Sequence, residues 1–215
     1  METISPALLN NPMDYATYRQ LIDELLAQDK TTGEDHSENM LQYTRLNVSR
    51  MNRLDKTTRL APATEQILAG MDRPLTWLVL TEAWCGDAAQ TVPVLAKLAE
   101  AAPQVNLELI LRDGNLPIMD AFLTNGGRSI PKVVLVDTVT REVLGTWGPR
   151  PQAAQQIMMD AKAASLKAGT PVEGKSIMEE GKKDLQKWYA RDKTQSIQLE
   201  FLASVRAMTG MGVPA

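Results

Sequence analysis

At 215 residues the chain has room for one domain with additions or for two small domains. A hydrophobic share of 44% and a charged share of 23% are those of a globular protein, and a net charge of −3 excludes the broad basic surface of a nucleic-acid or anionic-membrane binder. A single cysteine excludes an intrachain disulfide, so any disulfide must form with another molecule, which suits a reducing, cytoplasmic setting better than a secreted, disulfide-stapled fold. The first ten residues lack a basic stretch followed by an apolar one, and no apolar run approaches the ~20 residues of a membrane span, so neither a signal peptide nor a membrane anchor is expected.

Residues 1–73 read as a helical N-terminal extension. The run Asn11-Pro12-Met13-Asp14 is a helix start, and Tyr15, Tyr18, Leu21, Ile22, Leu25 and Leu26 then follow helical spacing. A polar connection over 29–37 precedes a second helix reaching about Thr57, with Tyr43, Val48 and Met51 as its apolar side. This segment is locally basic, through Arg45, Arg50, Arg53, Lys56 and Arg59. Ala61-Pro62 breaks the chain before a short helix that stops at Gly70.

From residue 74 to 168 the texture alternates. Strands are expected over 75–81, 105–111, 132–137 and 142–147, and helices over 88–101, 116–124 and 151–168. The first crossover is long enough to be parallel, whereas the four-residue link 138–141 makes the last two strands an antiparallel hairpin. The order β-α-β-α-β-β-α describes a small mixed sheet with helices on its faces, an α/β fold. Gly169-Thr170-Pro171 opens a helical C-terminal extension, 169–215. A long helix is expected over 176–208, interrupted at Gly181 or at Arg191-Asp192-Lys193-Thr194. Its contacts are Met178, Leu185, Trp188, Tyr189, Ile197, Leu199, Phe201, Leu202 and Val205, and residues 210–215 read as a loose tail.

The chemistry concentrates where the first strand runs into the first helix of the alternating region. Cys85, in Thr81-Glu82-Ala83-Trp84-Cys85-Gly86-Asp87-Ala88-Ala89, would sit at the positive end of a helix dipole beside unpaired backbone N–H groups, both of which favour a thiolate. Asp87 opposes it by charge. Pro93 lies inside the following helix and should kink it, and Ile130-Pro131 stands at the start of the third strand, where proline has no ladder bond to donate.

Together, in this order, these features resemble the thioredoxin fold over residues 75–168. The helical N-terminal extension, the Trp-Cys-Gly-Asp turn, Asn47-x-x-Arg50-Met51-x-Arg53 and Asn125-Gly126-Gly127-Arg128-Ser129-Ile130-Pro131 resemble a bacterial thioredoxin-like group. The resemblance implies a cis Ile130–Pro131 bond that presents the Ile130 backbone to an extended peptide or a glutathione-like tripeptide. It implies Cys85 as the reactive residue, with Trp84, Gly86, Asp87, Ile130 and Pro131 in support.

Two departures limit what the resemblance implies. The second cysteine of a Cys-x-x-Cys pair is replaced by Ala88, and the buried aspartate that thioredoxins carry in the first strand is replaced by Val79. The two-thiol cycle is impossible within this chain. What remains is monothiol exchange with a protein or small disulfide, completed by an external low-molecular-weight thiol as co-substrate, with no bound cofactor. The competing reading is a redox-silent scaffold whose loop and extensions grip another protein. Glu82 lies near the loop without an assigned role, and it occupies the place where thiol peroxidases carry Thr or Ser. Arg50, Arg53 and Arg128 are candidates for binding an anionic thiol or carboxylate, against the simpler reading of solvated charges. His36 stands alone in a polar linker, so no metal site is expected.

Overall fold

A computed structural model describes residues 2–210; the expected loose tail therefore lies, beyond Gly210, outside the described residues. Among the described residues four strands form one sheet: β1 (Leu75–Thr81), β2 (Val105–Leu111), β3 (Lys132–Asp137) and β4 (Val143–Trp147). The spatial order is β2-β1-β3-β4, with β2 parallel to β1 and the other neighbours antiparallel. Eight α-helices of the described residues surround it: α1 (Tyr15–Leu26), α2 (Glu38–Thr57), α3 (Pro62–Ala69), α4 (Ala88–Glu100), α5 (Leu116–Ala121), α6 (Gln152–Leu166), α7 (Pro171–Asp192) and α8 (Gln195–Thr209). This is the mixed α/β architecture read from the sequence. Among the described residues no helix is long and apolar enough to cross a membrane.

Period-two alternation divides the core. In β1, Leu75, Trp77 and Val79 enter the larger hydrophobic cluster, whereas Leu78 and Leu80 enter the smaller one. In β3, Val133 and Leu135 join the first, and Val134 and Val136 the second. Every residue of β1 is buried because strands flank it on both edges and its two faces enter the two core clusters, so it reads as a mostly apolar run broken only by Thr76 before Thr81 closes it.

The large cluster is covered by helices from all three parts of the chain. Tyr18 and Ile22 come from α1, Met51 from α2, Val92, Leu95 and Leu98 from α4, Leu185 and Tyr189 from α7, and Ile197, Phe201, Leu202 and Val205 from α8. The Phe201 ring meets Trp77 edge-on at 4.6 Å and Trp147 at 5.5 Å, so α8 is fastened directly to the sheet.

Several local expectations differ. The buried stripe of α2 is Leu41, Thr44, Asn47, Met51 and Leu54, while Tyr43 and Val48 lie at its margin. Two polar residues occupy that stripe, which is why apolar periodicity alone missed it. Residues 2–13 are not helical apart from one short turn at Pro6–Leu8. They cross the smaller core face from edge to edge, Thr3 bridging Glu142 beside β4 and Met13 bridging Leu109 of β2. Ile4 is fully buried under this strap, and both exposed sheet edges gain backbone partners.

In the C-terminal extension the helix begins at Pro171, with Thr170 capping it, rather than at 176. Gly181 does not interrupt it: a methyl carbon there would lie 2.4 Å from the Ala161 Cβ, so the glycine lets α6 and α7 cross closely. The break falls at Lys193 and Thr194, both in the left-handed region. Leu199 points to solvent at 66% exposure and is not a core contact.

Truncating the side chain that fastens α8 tests this packing. Phe201→Ala should lower the unfolding free energy by about 3–5 kcal/mol, measured by urea denaturation.

Candidate functional site

Cys85 stands between β1 and α4, at the junction of the two core clusters, and is partly buried. Its sulfur donates to the Ile130 carbonyl at 3.3 Å and accepts from the Ala88 backbone N–H at 3.5 Å. The first of these links the thiol turn to the turn before β3, where the Ile130–Pro131 bond is cis. The second is the open N-terminus of α4 aimed at the sulfur. Pro93 lies inside that helix, and its apolar face continues beyond the proline through Val94, Leu95 and Leu98.

The segment leading into the thiol is pinned from the N-terminal extension. Ala83 donates its N–H to Thr32 Oγ1 at 2.9 Å, and its carbonyl accepts from Asn47 Nδ2 at 2.8 Å. Asn47 is fully buried. Because its amide nitrogen is committed to Ala83, its Oδ1 is left to accept from Arg50 Nη1 at 2.8 Å, one helical turn on. The Asn47-x-x-Arg50 spacing thereby aims the guanidinium at the thiol turn.

A second set of contacts comes from the other end of the chain. The buried Asp87 carboxylate accepts from Tyr189 Oη at 2.7 Å and from Arg150 Nη2 at 2.6 Å. Arg150 also donates to Gln155 Oε1 at 2.8 Å. Gly148, two residues earlier, has φ +109° and would place a Cβ 2.4 Å from the Pro131 carbonyl oxygen. Only glycine lets the chain pass the cis-proline turn so closely and deliver Arg150 to Asp87.

Electrostatics at the sulfur are contested. Burial, then the negative charge of Asp87, push the Cys85 thiol up to about 12; the Ala88 and Asp87 backbone N–H groups and Arg150 pull the other way. Burial and the carboxylate prevail, so the resting group is a neutral thiol that can donate to Ile130. Glu82 is fully buried, and its carboxyl is pushed up by burial. It accepts from the Asp113 N–H at 2.9 Å, tying the loop after β2 to the end of β1.

Of the residues singled out in the sequence, Trp84 packs against the smaller cluster with the Arg112 guanidinium 4.8 Å over its ring. Gly86 lies against Arg50 and Gln186. Arg53 donates to Gln90 Oε1 at 3.2 Å, on the same face of α2 as Arg50. Arg128 is elsewhere: both arms of its fork hold Asp120, at 2.6 and 2.8 Å, and the pair is half-exposed. Sequence reasoning did not assign Arg150, Tyr189, Gln186 or Gln90 to the site. The one signal available was Gly148-Pro149-Arg150-Pro151, a rigid segment that fixes an arginine between two prolines.

A family model described as thioredoxin matches residues 33–164, more than half of the chain. The chain belongs to the thioredoxin family. No curated protein matches it. Among solved structures it is similar to PA1234, a protein of unknown function from Pseudomonas aeruginosa, with 18% identity, a TM-score of 0.56, and coverage of 95% of this chain and 98% of that one. It is also similar to an HIV epitope-scaffold, with 20% identity, a TM-score of 0.54, and coverage of 93% and 100%. Both likenesses concern the fold, and both extend well beyond the segment that the family model covers.

The balance at the sulfur predicts a pH profile. Alkylation of Cys85 by iodoacetamide should still be accelerating above pH 9, and Asp87→Asn should lower the apparent thiol pKa by at least about one unit, roughly a tenfold gain in thiolate at pH 8. Arg150, relieved of its carboxylate, acts in the same direction. The linkage sign follows: a thiol with a raised pKa in the fold contributes stability that is intact below its unfolded value and is lost as pH rises toward about 12. The stability advantage of the wild type over Cys85→Ser should therefore shrink above about pH 8.5, read by urea denaturation across pH.

Proposed function

We propose that this chain is a monothiol oxidoreductase in which Cys85 exchanges disulfides with a protein or small-molecule partner and an external thiol completes the cycle. The observation that carries the reading is the placement of the sulfur. It lies 3.3 Å from the Ile130 carbonyl of the cis-proline turn and accepts from the first N–H of α4, within reach of a partner whose backbone pairs with that turn. Trp84, Gly86, Asp87, Ile130 and Pro131 shape and tune the site around it.

The step balances without a second cysteine. Cys85 loses its proton to solvent, and the thiolate attacks one sulfur of a disulfide R–S–S–R′. A Cys85–S–S–R bond forms, the R–S–S–R′ bond breaks, and the electron pair leaves on R′–S⁻, which takes up a proton. A low-molecular-weight thiolate then attacks the R sulfur, forms a new disulfide with it and releases the Cys85 thiolate. No resident cofactor is required. A cytoplasmic setting, where free thiols are abundant, suits a lone thiol that needs another molecule to finish.

The raised thiol pKa favours a second reading, a redox-silent scaffold in which the same turn and the two extensions hold a protein partner. One assay separates the two. With a glutathionylated peptide and excess reduced glutathione, the wild type should release the peptide thiol catalytically, and without reduced glutathione a Cys85–glutathione adduct should accumulate by intact mass. Cys85→Ser should do neither. Equal turnover by that variant, or no adduct on the wild type, would sink the exchange reading and leave the scaffold.

A further inference from the structure

An arginine and an amide from opposite ends of the chain meet at Gly86, next to the thiol, with a second arginine one turn along the same helix, and among the described residues neither arginine forms an ion pair. Arg50 and Arg53 are one turn apart on α2, so their charges repel along one face. Arg50 is half-buried, and its guanidinium is pushed down by burial and then by Arg53. Their acceptors are the Asn47 and Gln90 amides. The nearby carboxylate, Asp87, is already taken by Arg150 and Tyr189. Asp87 acts on Arg50 only through space, so a half-desolvated cation beside another cation still gains from an anion that bonds it directly.

The amide orientations follow from the arginine, because a guanidinium only donates. Arg53 Nη2 donates to Gln90 Oε1, so Gln90 presents Nε2, which donates to Gln186 Oε1 at 2.8 Å. Gln186 is therefore left with Nε2 facing the thiol turn. A methyl carbon on Gly86 would lie 3.4 Å from that nitrogen and 3.4 Å from Arg50 Nη1. Two donor groups thus flank the residue that follows Cys85, both in contact distance of where its side chain would begin.

We propose that Arg50, Arg53 and Gln186 form a carboxylate-recognition site beside Cys85, which selects disulfides of small acidic thiols, such as cysteinyl peptides with free carboxylates, over neutral or cationic ones. This rests on the exchange reading for its biological use, although the charge preference itself does not require exchange. Arg50 supplies charge and the N–H groups not spent on Asn47, Gln186 supplies a neutral donor from the opposite side of Gly86, and Arg53 both adds charge and fixes the amide relay. Recognition on the α2 and α7 side leaves the cis-proline turn free to pair with the backbone of the same ligand. Arg128, committed to Asp120, takes no part.

The test compares reagents of like shape and different charge on the full-length protein. The rate of Cys85 alkylation by iodoacetate, divided by that by iodoacetamide at the same pH, cancels the thiolate fraction and reports charge recognition alone. The ratio should exceed that of free cysteine by on the order of tenfold. Arg50→Gln and Gln186→Leu should each bring it most of the way back to the free-cysteine value. Arg45→Gln, the same charge change on an exposed part of the same helix, should keep the wild-type ratio. A wild-type ratio equal to that of free cysteine overturns the proposal, as does an unchanged ratio in Arg50→Gln. Failure to react with either reagent overturns it too, because an anion held at Gly86 would then lie out of the sulfur's reach. In parallel, mixed-disulfide formation with 3,3′-dithiodipropionate and with 2-hydroxyethyl disulfide is followed by intact mass. Charge-selective alkylation without either adduct keeps the carboxylate site and removes the exchange reading, whereas equal reaction with both disulfides keeps exchange and removes the site.

Discussion

Asp87 is a carboxylate taken out of water two residues from the thiol, and most of the arrangement around the candidate site answers that one charge. A buried carboxylate persists only when a cation and further hydrogen-bond donors reach it with good geometry. Arg150 and Tyr189 do so, at 2.6 and 2.7 Å. Arg150 arrives from the segment after β4, past the close contact of Gly148 with the Pro131 carbonyl. Tyr189 arrives on α7, 102 residues along the chain, and α7 is held in place by its close crossing with α6 at Gly181. The C-terminal extension is therefore part of the site. The N-terminal extension is equally so, because Thr32 and Asn47 hold both polar groups of the Ala83 backbone.

The same charge shapes the chemistry. A cysteine at a helix start usually gains thiolate character from the dipole and the open N–H groups. Here burial and Asp87 outweigh those contributions, and the resting thiol is neutral and hydrogen-bonded to Ile130. With no second thiol to resolve an adduct, a constitutively reactive sulfur would be readily capped and left waiting. Under the proposed exchange reading, a neutral resting thiol beside Arg50 and Arg53 would leave selectivity to the charge of the incoming partner.

Much of this architecture is legible in one dimension. Strand β1 is a short, mostly apolar run, and β3 has an apolar centre between Lys132 and Asp137. Both are buried at every position, and their bounds follow from the apolar stretch and the flanking prolines and polar residues. Asp14 before Tyr15, Pro62 opening α3 and Gly70 closing it act through local backbone chemistry and need no tertiary partner. The lone Cys85, its place between strand and helix, Pro93 and the Ile130-Pro131 pair marked the site for the same reason. Where the reading missed, the residues were answering distant contacts. Asn47 and Thr44 lie on the buried face of α2 because polar partners wait there, so an apolar stripe could not reveal them. Leu199 faces solvent although its neighbours Ile197, Phe201 and Leu202 are buried.

Thus the order of β and α elements, the single thiol at the head of α4, and the impossibility of a two-thiol cycle follow from the sequence alone, since each depends on the identity and spacing of neighbouring residues. Tertiary structure alone decided whether that thiol rests charged or neutral and which cations stand beside it. Those properties depend on burial and on separations of a few ångströms between Cys85, Asp87, Arg150, Tyr189, Arg50 and Gln186. Residues so far apart in the chain are brought to such distances only when both extensions fold against the sheet.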